Sequence, residues 1–334
     1  VTSTMLQVLP EQQKLMKVVV LGDHNLPNDV ASISFWSLAK IAKNTLPDGR
    51  WRVFHARRNN EMVLALILKY LLGCKIKIVF TSTAQRHHTK FTRWLMGKMD
   101  GLLSTCEAAA SYMVRKPERI IPHGIDLHTY VPTDNKMQAW SANGFSGKYG
   151  IGIFGRVRKQ KGVDVLVEAA LPLLKKYPDF TVVICGEITP DNQGFVDDLK
   201  KQISSEGLSE RVLFLGKQPF EKIPPLFRSM SIITALSRNE GFGLTVLEAM
   251  SSKVAVLASQ AGAWPEVVRD GVDGFSVPCG DVAETREKLE NLMSNPVALE
   301  EMGEAGRERI EAHYTIEREA AALCDYFREV LSRP

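Results

Sequence analysis

The chain has 334 residues and a formal net charge of +4, and its 45% apolar and 24% charged residues are ordinary proportions for a soluble globular protein. No apolar stretch reaches the roughly 18 residues that a membrane span requires, and the N-terminus lacks the charged-then-apolar pattern of an export signal. The five cysteines are scattered and form no CxxC pair, which argues against a disulfide framework or a zinc site and indicates reduced thiols in the cytoplasm.

Short runs rich in Val, Ile and Phe alternate with helical segments along most of the chain. In chain order, the predicted strands are 17–21, 52–55, 76–81, 101–105, 150–154, 181–185, 212–215, 231–234 and 254–258. This alternation predicts an α/β protein with parallel sheets that carry helices on both faces. Because these strands are too many for one sheet of usual size, we expect two Rossmann-like, doubly wound domains.

A polar, glycine-bearing stretch at 134–149 separates the two halves. We therefore predict one domain over 1–148 and a second over 149–315. Residues 315–331 have the apolar spacing of an amphipathic helix, so 316–334 is predicted to pack back toward the N-terminal domain. Ligands of parallel sheets bind at the carboxyl ends of the strands, and two such domains facing each other would form one cleft between them.

The two predicted domains differ in charge. Residues 1–148 carry 20 Lys and Arg against 10 Asp and Glu, a net of +10, whereas 149–334 carry 22 against 28, a net of −6. A basic half indicates an anionic partner, such as nucleic acid, an acidic membrane surface or a phosphorylated lipid. The alternative is a basic face that is only solvated.

The first candidate site follows the strand at 150–154 and precedes a predicted helix, in the run GRVRKQKG at 155–162. Gly155 lets a ligand approach the backbone closely. Arg156 offers a two-pronged donor for phosphate oxygens and Lys161 a point charge, both near a helix N-terminus. A tight turn with solvated basic residues is the alternative. The run is neither a Walker P-loop nor a GxGxxG dinucleotide fingerprint.

The second candidate site is the run EGFGLTVLE, in which Glu240 follows the strand at 231–234 and Glu248 comes eight residues later. Gly243 and Leu244 are predicted to open a helix whose free N–H groups form an anion site. The two acidic residues suit a ligand that also offers hydroxyl groups, one from a sugar and one from a ribose. The alternative is a helix start with favourable acidic residues.

Together with AGAWPEVVRDGVDGFSVPCGD at 261–281 and IIPHGIDLHTY at 120–130, these runs resemble family 4 of the retaining glycosyltransferases, which have the GT-B fold. The resemblance implies a nucleotide-sugar donor, with Arg156 and Lys161 on its diphosphate, Glu240 on the sugar and Glu248 on the ribose. By the same resemblance Glu240, Arg156 and Lys161 act in catalysis. The donor site as a whole is expected to comprise Gly155, Arg156, Lys161, Glu240, Gly241, Phe242, Gly243, Leu244, Thr245 and Glu248. The family usually has paired glycines where this chain has AGAWPE, so Trp264 either narrows the donor pocket or packs.

The N-terminal half carries a second resemblance. The runs VTST, HARRNNEM and FTSTAQRHHTKFTRWL are similar to the lipopolysaccharide core mannosyltransferases of rhizobia, in which a further strand and loop precede VTST. A first strand is therefore expected to be missing here. This resemblance implies transfer of mannose from GDP-mannose to the Kdo–lipid A inner core, with retention at the anomeric carbon. No further cofactor and no metal are expected, since the chain has no Asp-x-Asp motif to hold one.

Basic residues follow two strands of the N-terminal half, where they are expected to bind an anionic lipid-linked acceptor. The predicted acceptor residues are Arg57, Arg58, Arg86 and His88. Charges on an outer loop are the alternative. His87 and His88 lack a third ligand and do not predict a metal site. The aromatic and basic stretch at 90–95, with the basic N-terminal half, predicts peripheral attachment to the cytoplasmic face of the inner membrane, although a half-buried helix explains that stretch equally well.

Two other functions stay open at this point. One is a transferase of the same fold that uses a UDP-sugar for another surface glycan. The other is a non-catalytic protein that binds an anionic membrane or nucleic acid through its basic half. The complete donor motif argues against the second, and nucleic acid is not expected as a partner.

Overall fold

The computed structural model describes residues 2–22, 26 and 30–333. These residues form two compact units, the first made of residues up to Gly124 together with the segment from Ile316, and the second of Ile125–Thr315. The ends of the predicted domain division, Val1 and Pro334, lie outside the described residues.

Both units alternate strands and helices. The strands are β1 (Val20–Leu21), β2 (Ser32–Ile33), β3 (Arg52–Ala56), β4 (Ile76–Ser82), β5 (Gly101–Ser104), β6 (Arg119–Ile120), β7 (Tyr149–Phe154), β8 (Phe180–Cys185), β9 (Val212–Gly216), β10 (Ile232–Ala235), β11 (Ala255–Ser259) and β12 (Gly274–Val277). The α-helices are α1 (Thr2–Leu15), α2 (Phe35–Ala42), α3 (Asn59–Leu66), α4 (Lys90–Met96), α5 (Glu107–Ser111), α6 (Lys136–Ser141), α7 (Val163–Lys176), α8 (Gln193–Ser205), α9 (Ile223–Ser229), α10 (Thr245–Ser251), α11 (Trp264–Val267), α12 (Val282–Ser294), α13 (Pro296–His313) and α14 (Ile316–Ser332).

The main sheet of the first unit is parallel, in the order β3-β4-β5-β6, and β1 pairs separately with β2. Successive side chains of a strand point to opposite faces, and the two faces here have different cores. Ile78 and Leu102 pack beneath α2, α3 and α4. Val79 and Leu103 pack against α14 on the other face.

The second unit has a six-stranded parallel sheet in the order β12-β11-β10-β7-β8-β9. The chain runs outward from β7 through β8 to β9, then returns to place β10 on the other side of β7. The strand order therefore reverses between β7 and β10. In parallel sheets the carboxyl ends of the strands at such a switch point form the ligand-binding crevice. The loops that follow β7 and β10 are the two runs singled out from the sequence.

The predicted parallel α/β architecture is confirmed, and the strands that the sequence predicted all occur, with ends shifted by one to three residues. The sequence did not predict β2, β6 and β12 or helix α1. Two of these strands have only two residues, too few to show the alternation that identifies a strand.

The division between the units falls after Gly124 rather than after residue 148. Residues 125–148 belong to the second unit, where Ile125, Tyr130 and Trp140 are buried. Trp140 of α6 is 1% exposed, and its ring occupies the space beside Gly150 of β7, where a Cβ atom would overlap it. The amphipathic helix expected over 315–331 occurs as α14 and lies in the first unit.

Candidate active site

Residues 155–162, which we call the basic loop, begin directly at the end of β7. Gly155 has a φ of +130°, and its N–H donates to the carbonyl of Cys185 at the end of β8 (2.9 Å). Gly186 passes so close that a Cβ atom there would overlap the carbonyl oxygen of Gly155. Glycine is therefore required at 186 for the loop to leave the sheet at this point.

The loop after β10 is joined to the basic loop. The N–H of Arg238 donates to the carbonyl of Gln160 (2.8 Å), and the Gln160 amide donates back to the carbonyl of Asn239 (3.1 Å). Gly162 has a φ of +72°, and a Cβ atom on it would overlap the carbonyl oxygen of Leu236. These contacts hold the two sequence runs as one structural element.

An ion pair that the sequence analysis missed reinforces this junction. The guanidinium of Arg238 donates to both oxygens of Asp164 in the first turn of α7, at 2.8 and 2.9 Å. A two-pronged Arg–carboxylate pair fixes orientation as well as distance. Sequence spacing could not show that position 238 lies beside position 164.

Lys161 and Glu240, both predicted site residues, contact each other. The ammonium of Lys161 donates to Oε2 of Glu240, and the two side chains are largely but not fully buried. Glu240 also accepts from the hydroxyl of Ser237 (3.1 Å) and from the N–H of Gly241 (3.2 Å). The carboxylate is therefore held in one orientation beside the positive charge.

Arg156 lies on the same loop but extends toward solvent. Its Nε is 3.7 Å from Oε2 of Glu187, and both side chains are substantially exposed, so this pair is weak. The stem of Lys161 passes close to Gly155, with its Cε 3.8 Å from the position a Cβ atom would take there. The structure thus places both cations on one short loop, with Arg156 held loosely enough to reorient.

The glycine turn of EGFG leads into α10. Gly243 has a φ of +77°, and a Cβ atom on it would lie 2.6 Å from Nε1 of Trp264. The indole N–H of Trp264 donates to the Gly243 carbonyl (2.9 Å), and Trp264 is 2% exposed. The tryptophan therefore packs and supports the turn.

Helix α10 starts at Thr245 and has seven residues. Within the described residues, no acceptor pairs with the N–H groups of Gly243 and Leu244.

Glu248 in α10 has an environment that the sequence did not reveal. The hydroxyl of Tyr130 donates to its Oε1 at 3.0 Å. Loss of hydration raises the pKa of the Glu248 carboxyl to about 7, and the Tyr130 hydrogen bond opposes this shift. Burial in turn raises the pKa of the Tyr130 hydroxyl, to which the neighbouring Glu248 charge adds. Tyr130 therefore remains the donor at neutral pH.

In the first unit, Arg57 follows the last residue of β3. Its Nη1 is buried and has no hydrogen-bond partner among the described residues, and its backbone N–H donates to Oε2 of Glu61 (2.6 Å). Loss of hydration lowers the pKa of the Arg57 guanidinium, while the Glu319 and Glu61 carboxylates act in the opposite direction. Glu319 also accepts from the His123 ring (2.8 Å) and from the N–H of Gly124 (2.8 Å).

The other predicted acceptor residues are more exposed. Arg58 precedes α3, and its Nε lies 4.0 Å from Oε1 of Glu61. Arg86 is exposed in the loop after β4, where Nε2 of His88 lies 3.5 Å from the Ser82 hydroxyl. Burial lowers the pKa of His88, and the nearby Arg86 charge adds to this effect. All four predicted residues follow β3 or β4, so they lie at the carboxyl edge of this sheet.

No group of three or more His, Cys, Asp or Glu side chains is placed to hold a metal ion in the part of the chain that the structure describes. None of the helices over the same residues combines the length and the apolar character needed to cross a bilayer.

Comparison with known proteins agrees with this geometry. Residues 137–309, about half of the chain, match the family described as Glycosyl transferases group 1. The crystal structure of a glycosyltransferase from Rickettsia africae superposes with a TM-score of 0.83 at 17% identity, covering 99% of this chain and 95% of that one. The chain is a glycosyltransferase of this family, and the predicted GT-B fold is confirmed. Membership of the family implies a nucleotide-sugar donor.

Two relatives are similar over nearly the whole chain. The lipopolysaccharide core biosynthesis mannosyltransferase LpcC of Rhizobium leguminosarum bv. viciae is 38% identical over 99% of this chain and 93% of its own length. The corresponding enzyme LpsB of Rhizobium meliloti is 36% identical over 99% of this chain and 94% of its own length. The resemblance seen in the N-terminal sequence runs therefore extends through both units.

Proposed function

We propose that this glycosyltransferase moves mannose from GDP-mannose to the Kdo–lipid A inner core during lipopolysaccharide core synthesis, with retention at the anomeric carbon. The observation that carries the proposal is the Lys161–Glu240 pair at the switch point of the second sheet, where a sugar nucleotide is expected to bind. The mannosyltransferase names of two relatives that match nearly the whole chain support the choice of sugar and pathway.

The donor would bind across the two joined loops. Its diphosphate would accept from Arg156, from Lys161 and from the N–H groups of residues 243–245. Glu240 would accept from hydroxyl groups of the mannose, and Glu248 from the ribose. Arg156, which the weak Glu187 pair leaves able to reorient, would complete the diphosphate contacts.

In the reaction, the bond between the anomeric carbon and the β-phosphate oxygen breaks, and the acceptor hydroxyl attacks from the same face. The departing phosphate oxygen takes the proton of that hydroxyl. Negative charge grows on the diphosphate as the bond breaks, and positive groups fixed beforehand stabilise it without reorganisation. Lys161 and Arg156 supply that charge, so we expect transfer without a divalent metal.

The acceptor is proposed to bind at the carboxyl edge of the first sheet. Arg57, Arg58, Arg86 and His88 lie there, and guanidinium groups match carboxylates and phosphates in geometry. The first unit carries 21 Lys and Arg against 12 Asp and Glu, a net of +9, over residues 1–124 and 316–334. Such a field favours an anionic lipid-linked acceptor.

We further propose that the first unit attaches to the cytoplasmic face of the inner membrane. Helices α2 and α4 and the π-helical turn Ile67–Leu71 cover one face of its sheet. Their outer sides expose apolar residues that we call the apolar–basic face: Trp36, Ile41, Tyr70, Leu71, Phe91 and Trp94. Exposed basic residues lie on the same helices or just after them, at Lys40, Lys43, Lys90, Arg93 and Lys98. This combination is typical of surfaces that bind anionic lipid.

The experiment that tests the function is transfer of radiolabelled mannose from GDP-mannose to Kdo–lipid A. We expect activity with the unaltered chain and a loss of at least about 100-fold in Glu240→Ala and in Lys161→Ala. Near-normal rates in both variants would contradict the assignment of the site. Thermal shift with GDP-mannose, UDP-glucose and UDP-N-acetylglucosamine tests the donor separately. If only a UDP-sugar raises the melting temperature of the chain, that sugar nucleotide and not GDP-mannose is the donor.

A further inference from the structure

Tyr130 is fixed in place on several sides within the second unit. Its side chain is 2% exposed, and its ring stands edge-on to Phe227 with centroids 5.6 Å apart. Its carbonyl accepts from the hydroxyl of Ser251 (2.7 Å) and from the guanidinium of Arg307 (3.1 Å). Because backbone and ring are both held, the hydroxyl has a defined position.

That hydroxyl is directed at one oxygen of Glu248. The bond from Tyr130 Oη to Glu248 Oε1 is 3.0 Å long. Oε2 of Glu248 accepts no hydrogen bond from the described residues. It is not a fully buried atom either, because the buried side-chain atoms without a partner do not include it. One oxygen is therefore occupied, and the other remains accessible to a ligand.

The residue type at 130 matters for this arrangement. A phenylalanine would fill the same space against Phe227 but would leave Oε1 without its donor. A partly buried carboxylate that loses a donor either protonates or turns toward another donor. Burial of Glu248 already favours its protonated form, and the Tyr130 hydroxyl acts in the opposite direction.

We infer that Tyr130 is a positioning residue for donor recognition: its hydroxyl holds Glu248 so that Oε2 accepts from the ribose hydroxyl groups of the nucleotide. This inference rests on the proposed function in one respect, the contact between Glu248 and the ribose. Tyr130 acts through Glu248 and need not touch the donor itself.

The test is calorimetric binding of GDP and of 2′,3′-dideoxy-GDP to the full chain and to Tyr130→Phe. Hydrogen bonds to charged groups are strong enough that we expect GDP to bind about 10-fold more weakly to the variant. The dideoxy nucleotide lacks both ribose hydroxyls, so its affinity should change by no more than about twofold. An equal loss for both nucleotides would show a general structural effect and overturn the inference, as would an unchanged affinity for GDP.

Two further variants separate positioning from packing. Tyr177→Phe is the matched control, because the Tyr177 hydroxyl also donates to a glutamate, Glu290 (3.3 Å), elsewhere in the second unit. It should leave both affinities unchanged. In a Glu248→Ala background, Tyr130→Phe should weaken GDP binding no further, since its effect passes through Glu248. A further loss there would contradict the inference.

The same design distinguishes this inference from the proposed donor. If the unaltered chain binds UDP and not GDP, the comparison is made with UDP and 2′,3′-dideoxy-UDP. The GDP-mannose proposal then fails, while the role of Tyr130 is judged on the new pair. Binding of neither nucleotide would overturn both.

Discussion

The ammonium of Lys161 is hydrogen-bonded to the carboxylate of Glu240, a residue 79 positions away in the chain. Each charge neutralises the other while the pair is intact. A diphosphate beside Lys161 and sugar hydroxyls beside Glu240 would replace this pairing with contacts to both ends of one ligand. The pair therefore keeps both groups at the switch point without leaving an isolated buried charge.

We predict that Lys161→Met lowers kcat/KM for mannosyl transfer by about 100- to 1000-fold, because a fixed positive charge at the leaving group is lost. The matched control is Lys159→Met, which removes an exposed ammonium two residues away on the same loop. Steady-state kinetics with labelled GDP-mannose measures both. Equal losses in the two variants would mean that the loop acts only through its overall charge.

Much of this site could be predicted from the sequence, because its parts are local. GRVRKQKG and EGFGLTVLE each follow a buried strand, and the carboxyl ends of parallel strands meet at one edge of a sheet. The sequence thus placed Lys161 and Glu240 at the same edge. That they touch depends on β10 lying beside β7, a strand order that no local pattern contains.

The contacts that support the site could not be predicted, because they join distant segments. Tyr130 precedes the second sheet in the chain but donates to Glu248 in α10. Arg238 pairs with Asp164, and Trp264 supports the carbonyl of Gly243. The division between the two units, after Gly124, also depends on contacts between distant segments. Residues 125–148 have no strand pattern of their own, and their place is decided by burial of residues such as Trp140.

The protonation of Glu248 leads to a prediction about stability and pH. Its pKa is raised from the usual 4.5 to about 7, so the folded chain holds this proton more tightly than the unfolded chain does. Stability is therefore lost as the pH rises from about 4.5 to about 7, and the penalty is constant above that. Glu248→Gln cannot ionise and avoids the penalty. The free energy of unfolding of Glu248→Gln minus that of the unaltered chain is the quantity to compare. We expect this difference to be about 2 kcal/mol larger at about pH 8 than at about pH 5.

Urea denaturation at those two pH values measures this difference. Glu290→Gln is the control, because the hydrogen bond from Lys176 lowers the pKa of Glu290 below 4.5. Its titration lies below the range tested, so the effect of that substitution should be the same at both pH values. A constant effect of Glu248→Gln as well would show that burial does not raise the Glu248 pKa.

A third prediction concerns the acceptor. Arg57→Ala should raise KM for Kdo–lipid A by about 10- to 100-fold, the range expected when a charged hydrogen bond to a ligand is lost, and leave KM for GDP-mannose unchanged. Arg57→Lys keeps the positive charge but loses the paired donors of the guanidinium. Its KM for Kdo–lipid A should therefore lie between those of the unaltered chain and Arg57→Ala. Arg52→Ala is the control at the opposite end of β3, where its guanidinium donates to the carbonyl of Asn44 (2.6 Å). A change in donor KM with Arg57→Ala would place Arg57 at the donor instead.

The last prediction concerns the apolar–basic face. The rings of Phe91 and Trp94 stack with centroids 6.1 Å apart on the outer side of α4, and more than half of each side chain is exposed. Burying such rings in a lipid interface stabilises the bound state by about 1 kcal/mol or more each, and nearby Lys and Arg add attraction to anionic headgroups. We expect the unaltered chain to co-sediment with phosphatidylglycerol vesicles and much less with phosphatidylcholine vesicles.

The double substitution Phe91→Ser with Trp94→Ser should lower binding to the anionic vesicles by about 10-fold or more. The matched control is Phe220→Ser with Val297→Ser, which removes two exposed apolar side chains from the second unit. If the control lowers binding equally, the surface of α4 is not the contact. If phosphatidylglycerol and phosphatidylcholine vesicles bind alike, the charge of the first unit serves the acceptor rather than the membrane. The proposal requires two results together. The unaltered chain binds phosphatidylglycerol vesicles much better than phosphatidylcholine vesicles, and only the double substitution of Phe91 and Trp94 lowers that binding.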